Sequence, residues 1–226
     1  MAAKSDSKER AKRNASLEAL KLVKNNSVIG LGSGSTAAIF VRLLSEKAKR
    51  ENLKIRCVAT SSATEKLAKE LGLNLVNLAS AEKIDLAVDG TDLVDSKLNL
   101  IKGGGGAHAR EKIIAYSAKK FIVIADESKI AKKLSGKVPL EVFPFAVPYV
   151  LKILKERFKV RCSTRQSPSD NGNVLIDAFF NGIKNPGKLE KELKSVSGIV
   201  ENGIFSRNVS SVIIGSENGA RTLKKK

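Results

Sequence analysis

Apolar residues fall into short runs that stop abruptly at glycines and hydroxyls, and these runs alternate with stretches of helical spacing. Leu17, Leu20, Leu22 and Val23 mark a first helix ending at Asn25-Asn26, with Asp6 and Glu9 as a capping pair ahead of it. Residues 27–31 read as a strand that ends in Gly32-Ser33-Gly34-Ser35-Thr36, and Ile39, Phe40, Leu43, Leu44 and Ala48 then stripe a second helix. Residues 54–59 predict a strand ending in Thr60-Ser61-Ser62, and Ser62-Ala63-Thr64-Glu65 is a capping box for a helix that stops at Gly72. Strands are predicted again over residues 73–78 and 84–88, the latter delivering Asp89-Gly90-Thr91-Asp92. A helix follows the glycines 103–106, and the buried run 121–125 ends in Asp126-Glu127-Ser128-Lys129. Strands alternating with helices predict an α/β protein with an open, mostly parallel sheet.

From Val138 the pattern changes. An extended segment over 138–144, a helix over 148–158, a strand near Val160, the turn 169–173, a strand over 174–180, a helix after Pro186 and a strand over 199–205 predict a smaller βαββαβ, ferredoxin-like α+β lobe. Asn181-Gly182 and Asn202-Gly203 are turn signals, and residues 209–214 form one more apolar strand that returns to the main sheet. The expected division is therefore 1–130 plus 206–226 for the parallel sheet and 131–205 for the lobe.

Composition narrows the chemistry. The 226 residues are 42% apolar and 28% charged, as in a soluble globular protein. No run approaches the ~18 apolar residues of a membrane span. Residues 1–10 have no apolar signal core, so a cytoplasmic location is expected, and the Asn-x-Ser triplets at Asn14, Asn25 and Asn208 are chance matches. Cys57 and Cys162 lack metal or disulfide spacing, and His108, the single histidine, excludes a multi-histidine cage. A mechanism without metal or cofactor is expected. The net charge of +18 raises nucleic acid as a partner, but aromatics are 4%, Trp is absent, and the lysines are interleaved with Glu. A lysine-rich solvated surface that steers a small anionic substrate fits better, with no nucleic-acid or membrane partner. Lys224-Lys225-Lys226 is read as a frayed tail.

The costliest stretch to order is Lys102-Gly103-Gly104-Gly105-Gly106-Ala107-His108-Ala109-Arg110-Glu111-Lys112. Four glycines are kept where chain and ligand approach without a Cβ between them. With Lys102 before them and Glu111 in the helix after them, the stretch can hold an anion and move a proton. The loop 32–36 offers amides, a helix start and the hydroxyls of Ser33, Ser35 and Thr36 to an anion. It is not a dinucleotide fingerprint, because Ser35 stands where glycine is required and the second strand ends in hydroxyls, not an acid. Gly136-Lys137-Val138 and Gly187-Lys188-Leu189 also fail the P-loop requirement. A smaller phosphate ester remains. Asp89 and Asp92 stand as a self-capping turn, a magnesium site or a pair of catalytic carboxylates. In a parallel sheet these strand-end clusters would converge at the carboxyl edge.

Taken together, residues 29–37, 88–92, 101–112, 125–129, 170–173 and 198–205 resemble the type A ribose-5-phosphate isomerases, in order and at that family's spacing. The resemblance implies a Rossmann-like domain with a smaller lobe acting as lid or oligomerisation surface, a homodimer or homotetramer, and metal-free interconversion of ribose 5-phosphate and ribulose 5-phosphate. It implies that Glu111 carries the proton between C2 and C1 through an enediolate, that Asp89 and Asp92 bind sugar hydroxyls, with Asp89 assisting ring opening, and that Lys102 stabilises negative charge. Ser33, Gly34, Ser35, Thr36 and Lys129 would hold the phosphate end, and Gly90, Thr91, Gly103, Gly104 and Gly105 would line the sugar. A carboxylate beside a helix start and a lysine is drawn toward weak basicity, so Glu111 would need desolvation by bound substrate. The chain departs from the family pattern at Thr91, Leu93, Ser33 and His108-Ala109, and His108 reads as a wall residue of its helix. The alternative is a sugar-phosphate-binding regulator without turnover.

Overall fold

The structure is a computed structural model that describes the backbone of residues 2–224 and the side chains of residues 6–224. The chain begins with α1 (Ala2–Leu20), β1 (Val28–Leu31), α2 (Ser35–Arg50), β2 (Arg56–Ala59), α3 (Ser62–Glu70) and β3 (Ile84–Asp89). Two short strands, β4 (Leu93–Val94) and β5 (Leu100–Ile101), precede α4 (His108–Ser117) and β6 (Ala118–Asp126). Then follow β7 (Gly136–Val142), α5 (Val147–Glu156), β8 (Arg161–Thr164), β9 (Val174–Phe180), α6 (Pro186–Lys194) and β10 (Ile199–Asn202). The last strands are β11 (Ile204–Phe205), β12 (Val209–Ser216) and β13 (Gly219–Lys224). The elements group into two compact units. One holds the described residues of Met1–Thr91, Arg110–Lys129 and Asn208–Lys226, the other Asp92–Ala109 and Ile130–Arg207.

The first unit is built on a six-stranded sheet in the order β13-β12-β6-β3-β1-β2, parallel except where β13 turns back on β12. Its central strands are continuous apolar runs because helices cover both faces. Ile29, Leu31, Val88, Ile122 and Ile124 pack with Phe40 and Leu44 of α2 and Ala15 and Ala19 of α1. A Cβ on Gly215 of β12 would lie 1.8 Å from the Ala11 carbonyl oxygen, so glycine lets α1 rest directly on that strand. The chain leaves β1 for β2 on one flank and returns as β3 on the other, so the strand order reverses between β1 and β3. In such sheets the crevice opens at the carboxyl ends of the two strands flanking the reversal. Here those ends are Leu31 and Asp89.

Several expectations are corrected in this unit. The first helix reaches back to Ala2, so Asp6 is not its cap but pairs with Arg10 one turn on, at 2.8 Å. The cap of α3 is Ser61 rather than Ser62: Ser61 is extended and its hydroxyl accepts from the Thr64 amide. Residues 73–78 form no strand, making one bridge from Leu75 to Cys57 beside the outermost strand before the chain bends away. Lys224 ends β13 rather than fraying, and Lys225 and Lys226 lie outside the described residues.

The second unit carries a four-stranded antiparallel sheet in the order β10-β7-β9-β8, the ferredoxin-like arrangement read from the sequence. Val138, Leu140, Val142, Ile176 and Ala178 face Val150 and Leu154 of α5 and Leu193 of α6. By the two-residue period of strands, Glu141, Leu175 and Asp177 occupy the opposite face. Residues 92–109 belong to this unit. Their strands β4 and β5 pair with β11 in a three-stranded sheet, and the Lys102 amide donates to the Gly203 carbonyl at 2.8 Å. The predicted strand 199–205 is split at Gly203, where a Cβ would stand 2.2 Å from the Lys102 carbonyl oxygen. Asn202 is wholly buried, and its side chain accepts from the Ile204 amide, turning the chain from one sheet into the next.

Candidate active site

In the first unit the tips of β1 and β3 are fastened to each other through one carboxylate. Asp89 is 3% exposed, and its Oδ1 accepts from the Ser33 amide at 2.9 Å and from the Gly90 amide at 2.7 Å. Gly32 makes the approach possible, since a Cβ there would lie 2.1 Å from that same Oδ1. The Ser33 hydroxyl meets Thr60 Oγ1 and Ser61 Oγ, both at 2.8 Å, while Thr60 and Thr64 donate to the Leu31 and Gly32 carbonyls. A knot of four hydroxyls thus ties the loop after β1 to the one after β2, and it engages the Ser33 hydroxyl inside the protein.

The helix start beyond this knot is more open. Gly34 takes φ +90, and α2 has no side-chain cap, so its first amides are available to an anion. Ser35 is exposed and Thr36 half-buried. Lys12, on α1, brings Nζ to 3.1 Å from Ser35 Oγ, a cation that the sequence reading missed because 23 residues separate the two. Lys129 is half-buried in the short turn Glu127–Lys129 after β6, where Asp126 accepts from the Ser128 amide and hydroxyl. Thr91 is half-buried beyond Gly90.

Glu111 is in the first turn of α4 and only 5% exposed. The fold itself therefore removes water from this carboxylate, whereas the sequence suggested that a bound substrate would have to. The adjacent Lys112 is also buried, its Nζ 5.9 Å from the centre of the Tyr116 ring.

The second unit holds Asp92, Lys102 and the glycine run. Lys102 is 3% exposed, with Nζ 5.7 Å from the Phe205 ring centre. Asp92 Oδ2 accepts from the Gly104 amide at 2.8 Å. The four glycines are not equivalent. Gly103 and Gly106 have positive φ, and Gly103 has His108 so close that a Cβ would lie 2.7 Å from Nδ1. Gly104 and Gly105 are exposed, and nothing lies within 4 Å of a Cβ on Gly105. His108 is wholly buried with Nε2 3.4 Å from the Glu201 carbonyl oxygen, the setting of a wall residue. Leu93 packs on the apolar core of the lobe.

Sequence reading also missed Arg165. Its Nη1 and Nη2 donate to the carbonyls of Gly104 and Gly103 at 3.0 and 3.1 Å, and its Nε and Nη2 grip Asp177 at 2.6 to 3.1 Å. A lone arginine between Thr164 and Gln166 carries no motif, so only the fold reveals it. Among the described residues no three His, Cys, Asp or Glu side chains are gathered so as to hold a metal ion.

The sequence matches the family described as ribose 5-phosphate isomerase A (phosphoriboisomerase A) over residues 56–219. It is 44% identical over 215 residues to the ribose-5-phosphate isomerase A of Methanosarcina acetivorans, covering 92% of each chain. The structure of ribose 5-phosphate isomerase A from Methanocaldococcus jannaschii superposes with a TM-score of 0.92 at 41% identity, over 96% of this chain and 99% of that one. A D-ribose-5-phosphate isomerase solved in complex with phospho-erythronic acid superposes with a TM-score of 0.93, also at 41% identity and with the same coverage.

Proposed function

The chain belongs to the ribose 5-phosphate isomerase A family, and on that premise we propose that it interconverts D-ribose 5-phosphate and D-ribulose 5-phosphate by proton transfer through an enediolate. The observation that carries the mechanism is Glu111, a carboxylate 5% exposed in the first turn of the helix that follows the glycine run. A base must take a weakly acidic proton from C2 of the open-chain sugar and return it to C1. A carboxylate already stripped of water does not have to shed a hydration shell at that moment.

The other roles follow from charge and placement. Asp89, aimed by two backbone amides, binds sugar hydroxyls and assists ring opening; Asp92 binds a further hydroxyl. Lys102, with the amides of Gly103 and Gly105, offsets the negative charge that develops on the enediolate, at about 3 kcal/mol for each well-aimed donor, while Gly104 lines the sugar and gives its amide to Asp92. Gly90 and Thr91 line the sugar. Gly34, Ser35 and Thr36 hold the phosphate with Lys129, and Lys12 adds a second cation beside Ser35. Ser33 serves through its amide and the hydroxyl knot rather than as a direct donor. No step calls for a metal or a cofactor.

The reading includes a cytoplasmic homodimer or homotetramer with the lobe 131–205 as lid or contact surface. Exposed Phe143, Phe145 and Tyr149 near the start of α5 support that use of the lobe. The test is a coupled assay of ribose 5-phosphate conversion by the wild-type chain with EDTA present. Turnover indifferent to the chelator is expected; binding of the sugar phosphate with no turnover would favour a regulator instead.

A further inference from the structure

Resting on that reading, we propose that Arg165 is a positioning residue of the reaction: gripped by Asp177, it sets the peptide planes of the glycine run so that the Gly104 amide aims Asp92 and the Gly105 amide faces the substrate. In a trans peptide the carbonyl and the following N–H point in opposite directions, and the described chain has no cis bond. The Gly103 carbonyl, held by Arg165 Nη2, belongs to the same plane as the Gly104 amide; the Gly104 carbonyl, held by Nη1, shares its plane with the Gly105 amide. Pinning both carbonyls on the guanidinium therefore turns two consecutive amides away from it. The first result is visible, since the Gly104 amide donates to Asp92 Oδ2 at 2.8 Å. The second is an exposed Gly105 amide with no partner among the described residues, free to meet a developing oxyanion.

Glycines cannot hold this arrangement themselves. A run with no Cβ has the widest choice of backbone conformations, and only outside contacts select one. The Gly106 amide closes a turn on the Gly103 carbonyl at 3.0 Å, which leaves the Gly104 carbonyl dependent on Arg165. The planar fork suits this task, because its rigid set of donors meets two carbonyls and both oxygens of a carboxylate at once, whereas an ammonium offers three donors from a single point. Asp177 is 9% exposed at its side chain and also has Lys137 Nζ at 3.5 Å, so the anchor is fixed from two sides. The Arg165 backbone is tied down too, its amide donating to Leu175 at 2.9 Å on the strand that carries Asp177.

The test compares R165A and R165K with the wild type in kcat, KM, melting temperature and amide exchange at Gly104. Misplaced donors cost on the order of 10- to 100-fold in rate. We expect that loss in kcat for R165A, with KM changed by less than about 3-fold, because ground-state contacts made elsewhere survive. Gly104 exchange should quicken by at least about 10-fold as its bond to Asp92 loosens. Added guanidinium ion at millimolar concentration should restore part of the rate to R165A, and R165K should recover little. A folded R165A with wild-type kcat would overturn the proposal. So would a loss that scales only with a fall in melting temperature and is not relieved by guanidinium. If R165A does not fold, R165K decides by the same kcat and exchange criteria. Absence of isomerase activity in the wild type would remove the functional reading alone; unchanged Gly104 exchange in R165A or R165K would remove the positioning claim whatever the activity.

Discussion

Asp89 and the glycine run are both stretches of chain held in one conformation for use, yet the two are held by different means. Asp89 ends a strand whose neighbours are parallel and in register, Leu31 opposite Val88, so the ladder brings the loop amide of Ser33 to its carboxylate. The glycine run has no ladder, and a guanidinium 61 residues further along the chain fixes its carbonyls. Regular structure aims the first group and a single side chain aims the second. The first should therefore fail through stability and the second through rate.

Glycine substitutions break the comparison at its strongest point. In G32A the new Cβ would stand 2.1 Å from Asp89 Oδ1 and 2.5 Å from its Cα, where backbone cannot give way. A loss of about 3 kcal/mol in urea unfolding is expected. G106A is strained by a φ of +82 but meets only the flexible end of Leu175, so about 1 to 2 kcal/mol is expected. G105A has open space and should unfold within about 0.5 kcal/mol of the wild type. A large stability loss in G105A would contradict the picture of that glycine as an exposed point of contact.

The other end of the same strand pair gives a smaller, pH-dependent effect. Asp85 Oδ1 accepts from Lys119 Nζ at 2.9 Å and Oδ2 from the Val28 amide at 3.0 Å, tying β3 to the start of β1. The Lys119 bond first, and the Val28 amide second, hold the Asp85 carboxyl below its ordinary value. A depressed carboxylate stabilises the fold above its unfolded value, near pH 4, and the contribution fades as pH falls through the lower folded value. We expect D85N to cost less than about 1 kcal/mol at pH 7, after screening by solvent. The difference should shrink toward zero in acid and leave kcat unchanged. A gap that grows on acidification would refute the sign.

Much of this molecule is legible because its information is local. The apolar runs 27–31, 84–88 and 121–125 and the turn residues after them place the parallel strands and their polar tips to within one to three residues. The βαββαβ lobe is legible for the same reason. What escapes is set by partners far away in sequence. β4, β5 and β11 are two residues each, too short for any period, and exist because Gly203 admits the Lys102 carbonyl. Residues 73–78 have strand composition but find one bridging partner. Ser33 looks like a ligand donor until the fold brings Thr60, Ser61 and Thr64 to its hydroxyl, and Lys12 and Arg165 carry no signal of their own. Glu111 and Asp89 were legible as candidate residues, but the burial of Glu111 was not.

The role of Glu111 is tested most directly by the rate of ribose 5-phosphate conversion in E111Q, which keeps the shape of the side chain and removes its basicity. We expect kcat to fall by about 10²- to 10⁴-fold, with melting close to that of the wild type. A folded E111Q that turns over at nearly the full rate would show that some other group moves the proton.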